Sequence, residues 1–264
     1  MDVAIQSIDL SKHFGKTIAL KNINLEIKQG VIFGLLGPNG AGKSTFIKIL
    51  TTLLEPTSGS AYVGGYNVVH DALQVRSQIG YVPQLLSADG GLTAYENLLL
   101  SAKLYRIPRK ERAARISAML NMLDLEKVAN QLVRTYSGGT IRRLEIAQAL
   151  LHRPLVLFLD EPTSGLDPVA RQTFWQHLLA IHQELNTTII LSTHDMEEAD
   201  VLCSQLGILH QGQIVVSGRP DELKKTVGEQ AGLEDVFTHY TGGSIEGGTY
   251  SDVKRARQIA KRLG

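Results

Sequence analysis

The chain has 264 residues with 27 Lys or Arg against 26 Asp or Glu, a formal net charge of +1 that excludes a nucleic-acid binder driven by bulk charge. This length can bury a full core, as one large domain or as a domain with a subdomain. The single cysteine, Cys203, excludes an internal disulfide, fits a reducing compartment and is interpreted as a core residue. No apolar run approaches the roughly 20 residues of a membrane span, and the N-terminus lacks a signal-peptide pattern. We therefore expect a soluble, cytoplasmic chain.

The first 30 residues show the alternation of β-strands. Ile23, Leu25 and Ile27 are separated by polar residues, which predicts an antiparallel sheet packed beside the main core. Phe14 lies in the segment Lys12–Lys16, which we interpret as a loop. Its ring is either a half-buried loop aromatic or a platform on which a nucleotide base stacks, and spacing alone does not decide between them.

The next segment matches G-x-x-x-x-G-K-[ST], the phosphate-binding loop. Its members are Gly37, Pro38, Asn39, Gly40, Ala41, Gly42, Lys43, Ser44 and Thr45. The apolar run 31–36 before it predicts a buried strand, and residues 45–50 after it predict the start of a helix. Backbone N–H groups and a helix N-terminus bind phosphate there, with Lys43 on the β- and γ-phosphates and the Ser44 hydroxyl on Mg²⁺. The sequence thus predicts a nucleoside triphosphate site.

A strand over 79–83 is predicted to end at Gln84. Gln84 is either an ordinary loop residue or, if its strand lies beside the phosphate loop, a ligand that completes the Mg²⁺ shell.

From Thr93 to Leu132 the apolar spacing becomes helical, with helices expected over 95–105 and 109–122. This helical insert is interpreted as a subdomain that faces a partner.

Ser137, Gly138 and Gly139 precede a helix predicted over 140–151. A serine and two glycines at a helix start form either an anion site or simply an N-cap.

The uninterrupted apolar run 155–159 predicts a central parallel strand buried on both faces, and it ends in Asp160 and Glu161. Ligands of doubly wound sheets bind at the carboxyl ends of the strands, so both carboxylates should face Lys43 and Ser44. Asp160 suits the Mg²⁺ shell, and Glu161 suits a base that polarises the attacking water.

A tight turn over 164–168 contains Asp167 and precedes a helix predicted over 169–185. The segment 188–193 predicts another buried strand, which ends at His194, and this histidine is either structural or a donor to the γ-phosphate. A helix over 196–202 and a closing hairpin over 206–216 follow.

The C-terminal stretch combines a Gly-rich linker with a basic amphipathic pattern. Residues 251–264 place five Lys or Arg on one face and apolar residues on the other. We interpret them as a tethered helix that binds a membrane surface or a partner; the alternative is a frayed, solvated terminus.

Taken in order, these motifs resemble the ATP-binding subunit of an ATP-binding cassette (ABC) transporter over about residues 2–240, and the segments 91–98 and 233–237 resemble the drug-resistance-type exporter ATPases. By this resemblance Gly37–Thr45 is the Walker A loop, Gln84 the Q-loop, and Ser137–Gly139 the centre of the signature motif. Asp160 and Glu161 are the Walker B pair, Asp167 belongs to the D-loop at the subunit interface, His194 is the switch histidine, and Phe14 stacks on adenine. Two positions depart from the signature, Tyr136 for leucine and Thr140 for glutamine, but the serine and glycines are intact.

The resemblance implies an α/β fold with a RecA-type P-loop NTPase core, an N-terminal antiparallel β subdomain and a helical signature subdomain over about residues 85–150. Residues 1–240 would form the ATPase domain, followed by the linker and helix of residues 241–264. The implied cofactors are ATP and Mg²⁺. The implied partners are a permease on a separate chain, at the inner face of the cell membrane, and a second ATPase subunit whose Ser137, Gly138 and Gly139 close the nucleotide site in trans.

Three other functions are compatible with parts of the pattern. A soluble ABC ATPase acting on ribosomes or DNA usually has two cassettes or long coiled-coil arms, which this sequence does not show, and no nucleic-acid partner is expected. A regulatory ATP-binding module without turnover is disfavoured by the intact Glu161 and His194. An importer stays open, because cassette motifs do not encode the direction of transport.

Overall fold

A computed structural model describes residues 2–242 of the chain. The predicted basic helix of residues 251–264 and most of the linker before it lie outside this range. The strands are β1 (Val3–Phe14), β2 (Thr17–Lys28), β3 (Ile32–Leu36), β4 (Ser58–Val63), β5 (Tyr66–Asn67), β6 (Ile79–Val82), β7 (Val156–Asp160), β8 (Thr188–Thr193), β9 (Gln205–His210) and β10 (Gln213–Gly218). The helices are α1 (Lys43–Leu50), α2 (Ala72–Gln78), α3 (Ala94–Leu104), α4 (Arg109–Met122), α5 (Gly138–Leu150), α6 (Pro168–Leu185), α7 (Met196–Leu202), α8 (Pro220–Val227) and α9 (Leu233–Thr241).

The strands form two sheets. A six-stranded sheet has the order β10-β9-β3-β8-β7-β6, with parallel pairing from β9 to β6 and β10 antiparallel at one edge. A four-stranded antiparallel sheet has the order β2-β1-β4-β5. The predicted α/β core with a separate antiparallel sheet is therefore confirmed, and α3–α5 form its helical part.

The larger sheet is covered on both faces, because successive residues of its strands point to opposite sides. In β8, Ile189 and Leu191 pack into the core on the side of the helices, whereas Ile190 packs into the core shared with the antiparallel sheet and α1. Phe158 of β7 is fully buried in this second core. Replacing it with alanine would cost about 3–5 kcal/mol of stability.

Most predicted elements match the observed ones within two residues, and the differences have local causes. Phe14 is the last residue of β1 rather than a loop residue, because the hairpin turn is only Gly15 and Lys16. Helix α5 begins at Gly138, two residues before its predicted start, because Ser137 caps it. The short helices α2 and α8 were not predicted, and neither was α9.

Cys203 is buried, as expected for a core residue. Its sulfur occupies the space beside Gly34 of β3, where a Cβ would lie 2.6 Å from it. Burial is the main cause that raises the pKa of its thiol. Within residues 2–242, no helix combines the length and the apolar character that crossing a membrane requires.

Candidate functional site

The phosphate loop connects the end of β3 at Leu36 to the start of α1 at Lys43. Gly42 caps this helix with a φ of 110°, and a Cβ there would lie 2.5 Å from the backbone oxygen of Ala19 in β2. Only glycine combines this φ with so close an approach. The absence of a side chain therefore lets the antiparallel sheet, whose β1 ends at Phe14, lie directly against the loop.

One side of the loop lines a cavity of about 420 Å³. Its other lining residues are His194, Met196, His210, Gln211 and Phe237. The backbone N–H groups of a glycine-rich turn and the N-terminus of α1 meet at this loop, which is the arrangement that binds a phosphate group.

Lys43 is the buried cation of the loop, with only 5% of its surface exposed. Its Nζ donates hydrogen bonds to the backbone oxygens of Gly37 at 2.7 Å and Pro38 at 3.2 Å. The same nitrogen lies 3.0 Å from Oε1 of Glu161, which follows β7. The lysine is thus held inside the loop and is neutralised by the predicted base.

Ser44 and Asp160 meet as predicted. Ser44 Oγ donates to Asp160 Oδ1 at 2.9 Å, and Ser192 Oγ donates to the same oxygen at 2.6 Å. Burial of Tyr81, and to a smaller extent the nearby negative charge of Asp160, raises the pKa of the Tyr81 hydroxyl to about 12. A carboxylate and a hydroxyl in contact form a pair of hard oxygen ligands. They suit Mg²⁺, which takes one or two such protein ligands and completes its shell with water and phosphate.

Glu161 contacts both Lys43 of the phosphate loop and His194. Its Oε2 lies 2.7 Å from His194 Nδ1, and its Oε1 contacts Lys43. The Glu161 backbone adopts a φ of 48°, a left-handed conformation that is uncommon for a residue with a side chain. The Glu161 N–H donates to Ser192 Oγ at 3.0 Å, which helps to hold this conformation. Strain of this kind is typical of functional sites.

His194 is half-exposed and lines the cavity. When Nδ1 holds the proton that is shared with Glu161, Nε2 is a hydrogen-bond acceptor in the neutral ring. Donation from Nε2 to a phosphate therefore requires the other tautomer or a doubly protonated ring.

Two predicted ligands, Phe14 and Gln84, are exposed residues at or just beyond the ends of strands. Phe14 is half-exposed, with Lys12 Nζ 5.2 Å from its ring centroid. Gln84 is exposed, and its strand β6 lies beside β7 rather than beside β3, three positions away from the strand that leads into the phosphate loop. Gln84 therefore emerges next to the end of the strand that bears Asp160.

Ser137, Gly138 and Asp167 are all exposed. Ser137 Oγ accepts from the Thr140 N–H at 3.3 Å, and Asp167 caps α6 by accepting from the N–H groups of Val169 and Ala170. In the part of the chain that the structure describes, the hydrogen bonds of Ser137 and Asp167 do not reach the phosphate loop. The structure therefore does not bring them together with Lys43 within one chain.

The sequence did not identify Ser192 or Glu198 as residues of this region. Ser192 is a polar residue near the end of the fully buried strand β8, a position that could have revealed it. Glu198 of α7 is buried and accepts from Thr163 Oγ1 at 2.8 Å and from Trp175 Nε1 at 3.1 Å. Burial raises the pKa of its carboxyl. These bonds connect α7, which follows His194, to Thr163 and to Trp175 of α6, both of which follow Glu161.

A family model described as ABC transporter matches residues 20–164 of the chain, which is more than half of its length. The chain is 39% identical over 227 residues to the daunorubicin resistance ATP-binding protein DrrA3 of Streptomyces coeruleorubidus, covering 86% of this chain and 72% of that protein. It is also 39% identical over 223 residues to the probable multidrug ABC transporter ATP-binding protein YbhF of Escherichia coli. That match covers 84% of this chain but only 38% of YbhF, so the chain spans well under half of that relative.

The fold is similar to a solved structure that is described as a dimeric, post-hydrolysis state of the ATP-binding cassette MJ0796 bound to ADP and Pi. The TM-score is 0.71 at 32% sequence identity, and the match covers 81% of this chain and 98% of that one.

Proposed function

Because the chain belongs to the ABC transporter family of ATP-binding proteins, we propose that it binds and hydrolyses ATP and thereby powers a membrane transporter of the drug-resistance export type. The two relatives described above, a daunorubicin resistance protein and a probable multidrug transporter protein, support this type.

One observation supports turnover above all others: Glu161 contacts both Lys43 and His194, at 3.0 and 2.7 Å. A carboxylate beside the phosphate-binding lysine is placed to polarise a water molecule that attacks the γ-phosphate. A module that only binds ATP has no need of a buried carboxylate at this position, which costs free energy to desolvate.

Ser44 and Asp160 would hold Mg²⁺ together with the phosphates, and Gln84 would complete the shell from the neighbouring strand. When bound, Mg²⁺ neutralises charge that develops on the β- and γ-phosphate oxygens. Lys43 and the backbone of Gly37–Gly42 would orient the triphosphate, and Phe14 would stack on the adenine from the adjacent sheet.

His194 at the site is half-exposed, and we infer that a second cassette closes the site. Ser137, Gly138 and Gly139 lie at the exposed start of α5, where a helix N-terminus can meet an anion of another subunit. The similarity to a dimeric cassette supports this arrangement. ATP would then stabilise the closed dimer by its higher affinity for that state, and hydrolysis would release it. Asp167 would lie at the dimer interface.

The transporter's membrane-spanning part would be a permease on another chain, which keeps this subunit at the cytoplasmic face.

Two measurements test the proposal together. Purified chain should hydrolyse ATP in a Mg²⁺-dependent reaction, and affinity purification from membranes should recover a polytopic membrane protein. Absence of hydrolysis in both the isolated and the membrane-bound form would contradict the proposal, and so would recovery of ribosomes or DNA instead of a membrane protein.

A further inference from the structure

We propose that Arg142 and Glu145 of α5 are positioning residues for Gln84: they fasten residues 83–87 to α5 and thereby place the Gln84 side chain at the metal site beside Asp160. The inference rests on the proposed function, because it takes Gln84 as a ligand of the nucleotide-bound Mg²⁺.

Arg142 and Glu145 form the most buried ion pair outside the phosphate site in the described part of the chain. Arg142 Nη1 lies 2.9 Å from Glu145 Oε2, and the two side chains are only 3% and 2% exposed. Desolvating two charges costs several kcal/mol, so such a pair is a weak source of stability by itself. What the pair binds is therefore the more informative observation.

The two side chains hold both ends of the segment that contains Gln84. Arg142 donates to the backbone oxygen of Pro83 at 2.6 Å and to that of Gln84. Glu145 Oε1 accepts from the Ser87 N–H and from Ser87 Oγ at 3.0 Å. The planar guanidinium can bond two carbonyl oxygens and a carboxylate at once, which a lysine ammonium does with less geometric control.

Little else fixes this segment. Among residues 2–242, every side-chain hydrogen bond to residues 83–87 involves Arg142 or Glu145. Leu85 and Leu86, which lie between the fastened residues, are 82% and 51% exposed, so core packing does not hold them. Removal of the ion pair should therefore loosen the backbone around Gln84.

The strand register shows why the position of this segment matters for the metal site. Val82 pairs with Leu159 in the parallel ladder of β6 and β7. Asp160 is the last residue of β7 and Gln84 lies two residues beyond the end of β6, so both are at the carboxyl edge of the sheet, where ligands bind. Mutation of a residue that orients a metal ligand commonly lowers metal affinity by about 10-fold or more.

The test replaces both charges, because a variant that lacks one partner would leave the other charge buried and unpaired. The variant Arg142→Met/Glu145→Met removes the bonds and retains apolar volume. The matched control is Arg115→Met/Glu111→Met, which removes an ion pair of α4 whose side chains are 25% and 39% exposed. Arg142→Lys is a second variant that keeps the charge pair but loses the two-carbonyl geometry.

The first readout needs neither nucleotide nor metal. Hydrogen exchange of the Ser87 amide should become about 10-fold faster in the double variant, because the amide loses its acceptor Glu145. It should also become faster in Arg142→Lys, because Glu145 is then held less firmly by its partner. The control variant should leave it unchanged. Unchanged Ser87 exchange in both test variants would overturn the proposed fastening, and failure of the double variant to fold would leave Arg142→Lys to decide.

The second readout is ATP affinity measured by calorimetry with and without Mg²⁺. Affinity without Mg²⁺ should be unchanged, while the Mg²⁺ concentration that gives half of the affinity gain should rise by about 10-fold. An unchanged Mg²⁺ requirement would overturn the positioning role. Neither readout requires turnover, so a chain that hydrolyses no ATP would contradict the proposed function while these two measurements still decide the inference.

Discussion

Lys43 Nζ and Glu161 Oε1 lie 3.0 Å apart, with both side chains almost fully buried. A buried pair of this kind is stabilised by mutual neutralisation, and either charge is costly if the other is removed. A triphosphate that binds Lys43 has to replace Glu161 as its counter-ion. If the chain functions as proposed, nucleotide binding and release of Glu161 would therefore be linked through this one lysine.

Glu161→Gln should lower ATP turnover by about 100-fold or more, because a positioned general base typically contributes 10²–10⁴-fold to the rate. ATP affinity should be retained or increased, since Lys43 no longer has a carboxylate competitor. ATP with Mg²⁺ should then trap a dimer that is visible by size-exclusion chromatography. Turnover within about 3-fold of wild type would remove Glu161 from the role of base.

Lys43→Ala should weaken ATP binding, because it deletes the cation that is placed on the β- and γ-phosphates. It should also lower the free energy of unfolding by about 3 kcal/mol, since Glu161 is left buried without its partner. Lys48→Ala, at an exposed position of the same helix, is the control and should change neither quantity. Equal ATP affinity of the wild type and Lys43→Ala, measured by calorimetry, would show that the phosphate-loop assignment is wrong.

Ser137 should act across the dimer interface. Lys43→Ala and Ser137→Arg chains should each be inactive alone, since each homodimer has a defect in both composite sites. Their mixture forms heterodimers with one intact site, so ATPase activity should partly recover when the two are combined. Crosslinking should verify that mixed dimers form. If they form and no activity returns, two sites act only together or the site is not composite.

His152 should make stability depend on pH. It stacks on Tyr105 with ring centroids 3.7 Å apart, and its Nε2 lies 3.0 Å from the backbone oxygen of Ile79. Burial is the main cause that lowers its pKa from 6.5 to about 4. Between these values the unfolded chain binds a proton that the native chain does not, so the stability contributed by the neutral ring is lost as pH falls.

His152→Gln removes this titration. Urea unfolding at about pH 7 and about pH 5 should show a loss of stability that is smaller in the variant by roughly 2 kcal/mol. Other ionisable groups affect both proteins alike, so only the difference is informative. An identical pH dependence would mean that His152 has the same pKa in the native and the unfolded chain, contrary to its burial.

Several features followed directly from the sequence, because they depend on residues that are close together along the chain. The phosphate loop, the buried strands that end at Asp160 and Thr193, and α4 with its bounds at Arg109 and Met122 were all predicted from local patterns. A strand or helix is specified by the period of its apolar residues. The two helices of residues 220–241 were missed because they have only eight and nine residues, shorter than the segments of 11 or more residues over which a helical period is recognised.

The contacts of the site depended on strand order, which no local pattern contains. Parallel pairing places β8 between β3 and β7, and so brings Ser192 and His194 to Asp160 and Glu161. Pairing of β6 with β7 places Gln84 next to the end of the strand that bears Asp160, which the sequence did not indicate.

The same distinction applies to Arg142 and Glu145, which in the sequence are two charges on an otherwise ordinary helix. Only the packing of α5 against the end of β6 buries them and turns them toward residues 83–87. The sequence by itself thus determined the position of the phosphate loop and of most strands and helices. The tertiary structure decided which buried charges neutralise each other, because desolvation and pairing arise only when residues distant along the chain are brought together.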